Sequence, residues 1–145
     1  MPTTDFRTEP LLHPLHAILL AFPIALFASA LASDITYLNT AEIQWSNFSA
    51  WLIAGGALFG GLVLAWSIVA FLRLKSTPLQ RQAVIFLALI AGMWIAGLLN
   101  AFYHSHDAWS SVGTMGVLLS AISTILALAA GWIGYSIQMR RGDMR

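Results

Sequence analysis

The chain is predicted to be all-α: an integral membrane four-helix bundle running up-down-up-down, with both termini cytoplasmic. Three observations predict this. Hydrophobic residues make up 59% of the chain and charged residues only 9%, against roughly 25% charged in a soluble domain, so most of the surface has to face lipid. Four apolar runs, at about 15–38, 48–72, 83–103 and 112–137, are each long enough to cross ~30 Å of hydrocarbon. They lack period-two alternation, which selects helices over barrel strands. Finally, every Lys and Arg falls in the N-terminal segment (Arg7), the second connection (Arg73, Lys75, Arg81) or the tail (Arg140, Arg141, Arg145). Cytoplasmic loops concentrate these residues, so the first and third connections are expected outside.

The 145 residues suffice for one transmembrane domain. The mean hydropathy of +0.77 and the six Trp suit a protein of the bilayer, where indole rings favour the headgroup region. The formal charge of +1 gives nucleic acid nothing to bind, and the absence of Cys excludes disulfides, thiolate catalysis and cysteine-held metal clusters. The first twelve residues are polar, with Arg7 offset by Asp5 and Glu9. A secretory signal needs a net positive start, so Ala28-Ser29-Ala30 is not expected to be a cleavage site.

The first span opens on His13-Pro14-Leu15-His16. His13 can cap the helix and Pro14 sits at the first helical position, where a missing N–H costs nothing. Pro23 cannot donate to the carbonyl of Leu19, so a kink is expected there. From His16 to Asp34 is eighteen residues, five turns at about 3.6 residues per turn. His16, Pro23, Phe27 and Asp34 should therefore share one face, turned toward protein. Asn39 to Asn47 read as a loop. In the second span Gly56 and Gly60 form a GxxxG pair, which reads as tight helix packing.

Pro78 marks the break before the third span, which ends in the polar stretch Asn100-Ala101-Phe102-Tyr103-His104-Ser105-His106-Asp107-Ala108-Trp109. Asn100, His104 and Asp107 fall at i, i+4 and i+7 on one helical face, which Gly97 and Met93 continue inward. The fourth span offers Ser120, Ser123 and Thr124 for interhelical hydrogen bonds.

The polar residues sort into two groups. His13 and His16 lie at the inner surface, as cap and interfacial side chain or as cofactor ligands. Asp34, His104, His106 and Asp107 lie at the outer surface with Asn100 just below. Asp34 and His104 are expected to be close in space, because an ionisable group at membrane depth faces the bundle and finds a partner. Such a set can bind a divalent metal, relay protons or dock a quinone headgroup; it can equally be a hydrogen-bonded helix-end network. A bis-histidine haem b needs two ligands at one depth. His16 and His104 stand roughly 27 Å apart at 1.5 Å per residue and cannot grip one ring. A haem with one histidine and one methionine, or one shared across a homo-oligomer, stays open. No nucleophile motif, HExxH or phosphate loop appears, which points away from an enzyme acting on its own.

These residues carry a resemblance. His13-Pro14-Leu15-His16, Phe22-Pro23-Ile24, Asp34 and the stretch from Asn100 to Trp109 are together similar to the bacterial membrane family catalogued as domain of unknown function 2231, over nearly the whole chain. The resemblance implies a four-helix protein of the bacterial inner (plasma) membrane. Some members are fused to Rieske iron–sulfur domains and others travel with periplasmic quinoprotein sugar dehydrogenases, which implies electron transfer and a periplasmic or membrane redox partner. The Rieske-fused members carry further histidines where this chain reads Arg81-Gln82-Ala83 and Tyr135-Ser136-Ile137, so a cytoplasmic-side haem is less expected here. The leading expectation is a small redox-supporting membrane subunit with a quinone, metal or haem site near the outer face. The alternative is a non-catalytic structural or assembly partner that anchors another membrane or periplasmic protein.

Overall fold

The computed structural model describes residues 13–105 and 113–142, with side chains through Ser136 in the last helix. It contains four α-helices: α1 (Pro14–Thr40), α2 (Ile43–Leu74), α3 (Gln80–His104) and α4 (Thr114–Gly142). All four are long and apolar enough to cross a membrane. Each packs on its neighbours in the order α1–α2–α3–α4 and back to α1, so α1 and α3 face one another across the bundle. The start of α1 and the end of α4 lie at one end, here the terminal end; the α1–α2 turn lies at the other, the turn end.

The helices bury narrow seams in which small and polar residues alternate with a central set of apolar side chains. In α2 the buried positions are Ser49, Ile53, Gly56, Gly60, Val63, Ser67 and Leu74, steps of three, four and seven that keep one stripe facing inward. Many large apolar side chains point outward, with Trp51 80%, Trp132 79% and Ile125 64% exposed. This inside-out distribution is what lipid as solvent selects, since lipid tails are as apolar as Leu and only packing and hydrogen bonds hold the helices together.

The α1 seam contains His16, Leu20, Pro23, Phe27, Ala30, Ser33, Asp34 and Tyr37, so the expected common face of His16, Pro23, Phe27 and Asp34 is the buried one. His13 caps α1 as expected, its Nδ1 accepting the Leu15 N–H at 3.2 Å with Pro14 at the first helical position. The helix continues through Pro23.

Phe27 is the central knob. Its ring sits between Gly56 of α2 and Gly97 of α3. A Cβ on Gly56 would lie 2.8 Å from the ring, and one on Gly97 would overlap it. Likewise Gly60 faces Met93, Gly61 faces Trp94, and Gly131 faces Ile24. The glycines of the GxxxG pair thus serve the expected tight helix packing by seating side chains from neighbouring helices.

The expected loop from Asn39 to Asn47 shrinks to two residues. Ala41 ends α1 in the left-handed conformation (φ 56°), its N–H donating to the Tyr37 carbonyl at 2.7 Å. Glu42 is extended and α2 starts at Ile43. One left-handed residue closes the helix end and reverses the chain, so the polar residues on either side stay helical.

Candidate functional site

Near the turn end three helices converge on Asp34. The carboxylate is fully buried and the His104 side chain is 1% exposed. His104 Nε2 lies 3.0 Å from Asp34 Oδ1, and the Ser120 hydroxyl of α4 donates to Asp34 Oδ2 at 2.5 Å. Ser120 in turn accepts from Asn100 Nδ2 at 2.7 Å. Asn100 and His104 are one turn apart on α3, and His104 Nδ1 contacts the Asn100 carbonyl at 3.0 Å.

These contacts determine the proton count. A carbonyl only accepts, so His104 Nδ1 carries hydrogen. The Nε2–Oδ1 contact then needs one proton between an imidazole nitrogen and a carboxylate oxygen. Imidazolium with carboxylate and imidazole with carboxylic acid are the two forms, and both are neutral overall. A neutral pair avoids the large cost of a net charge in a low-dielectric interior. The Asn100 Oδ1 atom and the Ser33 hydroxyl, both buried, have no hydrogen-bond partner among the described residues. The network therefore has acceptor capacity left over beside the proton-sharing pair.

The other histidines lie at the terminal end. His16 is fully buried, stacked on Trp66 with ring centroids 5.4 Å apart and edge-on to Phe86. The Ser67 hydroxyl donates to the Val63 carbonyl at 2.7 Å, so its oxygen receives His16 Nε2–H at 3.3 Å. His16 Nδ1 has no partner among the described residues. His13 stacks on the same Trp66. Between the two ends lies an apolar layer that includes Leu20, Phe27, Ile53, Val63, Ile90 and Met93, all fully buried.

The structure therefore joins Asp34, His104 and Asn100 from the expected set and keeps His13 and His16 apart from them. His106 and Asp107 lie outside the described residues. Among the described residues no three His, Asp or Glu side chains come close enough to hold a metal ion together, and both His104 nitrogens and both Asp34 oxygens are engaged in hydrogen bonds. A metal would thus need these groups to exchange partners. Ser120 was legible as an interhelical hydrogen-bonder but not as the link between Asn100 and Asp34. Ser67 and Trp66 stand in an apolar run, and nothing in their local sequence marks them as the surroundings of His16.

Fold and site together define a class: an integral membrane four-helix bundle with a hydrogen-bonded Asp–His pair buried near one end. The chain belongs to the family described as "Predicted membrane protein (DUF2231)", whose model matches residues 12–142. Neither curated proteins nor solved structures offer a significant match to the chain.

Proposed function

We propose that this chain is a small redox-supporting membrane subunit whose Asp34–His104 pair exchanges a proton with a quinone headgroup. The observation that carries the reading is the 3.0 Å contact between Asp34 Oδ1 and His104 Nε2, which needs one proton between them, while their other hydrogen bonds are filled. Losing that proton leaves Nε2 and Oδ1 as two acceptors facing each other around a buried charge, so the pair hands a proton on only as another replaces it. Quinone reduction consumes two electrons and two protons; the electrons come from a periplasmic or membrane redox partner, one proton passes through the pair and the second comes directly from water at the membrane surface. The unpartnered Asn100 Oδ1 offers an acceptor to a quinol hydroxyl. Haem and metal are less well supported. His16 and His104 lie toward opposite ends, and only two of the four expected metal ligands meet among the described residues.

The confinement of Lys and Arg to the termini and the second connection supports a bacterial inner-membrane protein with both termini cytoplasmic. Asp34 and His104 then lie near the outer face. Reporter fusions are expected to read inside at Ser76 and outside at Thr40 and Ser110; an outside signal at Ser76 overturns the orientation.

The alternative, a non-catalytic structural or assembly partner, rests on the same contacts taken as a clamp joining α1, α3 and α4. Solvent extraction of quinone from detergent-purified protein, with an absorption spectrum and metal analysis, separates the readings. Stoichiometric quinone, lost in Asp34→Asn and His104→Gln while both variants still insert, supports the redox reading. A colourless, metal-free and quinone-free protein whose variants change only stability supports the clamp. A Soret band or stoichiometric metal replaces quinone with that cofactor.

A further inference from the structure

We propose that the connection between α2 and α3 is a binding site for an anionic phospholipid, with the Arg81 guanidinium on its phosphate and Val84 and Ile85 along the start of an acyl chain. Three observations meet there. An open cavity of about 680 Å³ is lined by Thr77, Pro78, Gln80, Arg81, Val84 and Ile85. The chain holds no Asp or Glu between Glu42 and Asp107, so the α2–α3 hairpin itself offers Arg73, Lys75 and Arg81 no carboxylate. Among the described residues the one ion pair is Asp34 with His104, and Arg81 is exposed, so no carboxylate among them occupies the guanidinium fork, which suits a bidentate phosphate contact.

The order of chemistry along α3 matches the order along a phospholipid. Arg81, Val84 and Ile85 fall at i, i+3 and i+4, hence on one face, with the cation at the helix start and the apolar pair one turn further into the span. Val84 is 45% and Ile85 41% exposed, so this face is open to an acyl chain. A protein partner would have to supply a carboxylate and an apolar side chain at that depth, where headgroup and tail already occur together. The inference is independent of any role for Asp34 and His104.

The test is native mass spectrometry of the full chain in detergent with phosphatidylglycerol and phosphatidylcholine of identical acyl chains. The wild type is expected to retain phosphatidylglycerol preferentially. Arg81→Gln should lower that preference roughly fivefold, the weight of one cation near an anionic surface, and Arg81→Lys should keep more of it. The double variant Arg73→Gln with Lys75→Gln, whose side chains lie outside the cavity, should keep the larger part. Arg81 is exposed, so its variants should unfold at the wild-type temperature without phosphatidylglycerol. Equal retention of both lipids by the wild type, or an unchanged preference in Arg81→Gln, overturns the proposal. So does a double variant as impaired as Arg81→Gln, which indicates a diffuse field. Full competition by millimolar inorganic phosphate overturns it in favour of a free-anion site.

Discussion

Asp34 Oδ1 and His104 Nε2 lie 3.0 Å apart, although seventy residues separate them in the chain. They belong to helices that face one another diagonally, so the contact crosses the bundle, and Ser120 brings α4 into the same network.

Asp34→Asn and His104→Gln should each lower stability by about 1–3 kcal/mol, because each leaves buried polar groups poorly matched. The double variant should cost less than the sum of the singles, since both remove one shared interaction. Thermal unfolding in detergent measures all three; strict additivity would show that the two side chains do not couple.

Gly97→Ala should destabilise by roughly 1–3 kcal/mol, the usual cost of overpacking a filled interior, because its new methyl overlaps the Phe27 ring. Adding Phe27→Leu should recover part of the loss by vacating that seat. A Gly97→Ala protein as stable as the wild type, by the same melting experiment, would mean that the ring moves aside freely.

Ala41→Gly should stabilise by about 1 kcal/mol. Ala41 holds φ at 56°, where a Cβ crowds the following carbonyl at a cost of roughly 1–2 kcal/mol, and glycine's greater freedom in the unfolded chain gives part of that back. Ala41→Val should act in the opposite direction. A melting temperature lowered by Ala41→Gly contradicts the left-handed turn.

Ser67→Ala should cost about 1–3 kcal/mol, since it takes the acceptor from His16 Nε2–H in a side chain whose Nδ1 is already unpartnered. Ser67→Ala with His16→Leu should recover much of the loss by removing the polar group altogether. If the double variant melts no higher than Ser67→Ala, His16 contributes through more than this hydrogen bond.

Some of this was legible before any coordinates. The i, i+4 spacing of Asn100 and His104 already put both on one face, and their shared network bears that out. The eighteen-residue step from His16 to Asp34 likewise predicted a common face, and both side chains are buried. What the spacing could not show was the partner on α4, because Ser120 is one of three hydroxyl residues close together on an apolar helix and only helix rotation selects among them. The Asn39–Asn47 loop was misread because local polarity does not reveal that one residue will adopt the left-handed conformation and make the turn alone.

By itself the sequence determined that this chain has four apolar helices and which stripe of α1 and of the end of α3 faces inward. Both follow from hydrocarbon thickness and helical period, which act on any chain locally and irrespective of its neighbours. The sequence also put Asp34 beside His104, as ionisable side chains at one depth that need a partner in the bundle, and their 3.0 Å contact bears that out. Only the tertiary structure decided that Ser120 ties Asn100 to Asp34, that Phe27 fills the space left by Gly56 and Gly97, and that Ser67 and Trp66 enclose His16. These depend on how far each helix is rotated and shifted against the next. That choice is made by close packing and hydrogen bonding between residues far apart in the chain, and no local pattern encodes it.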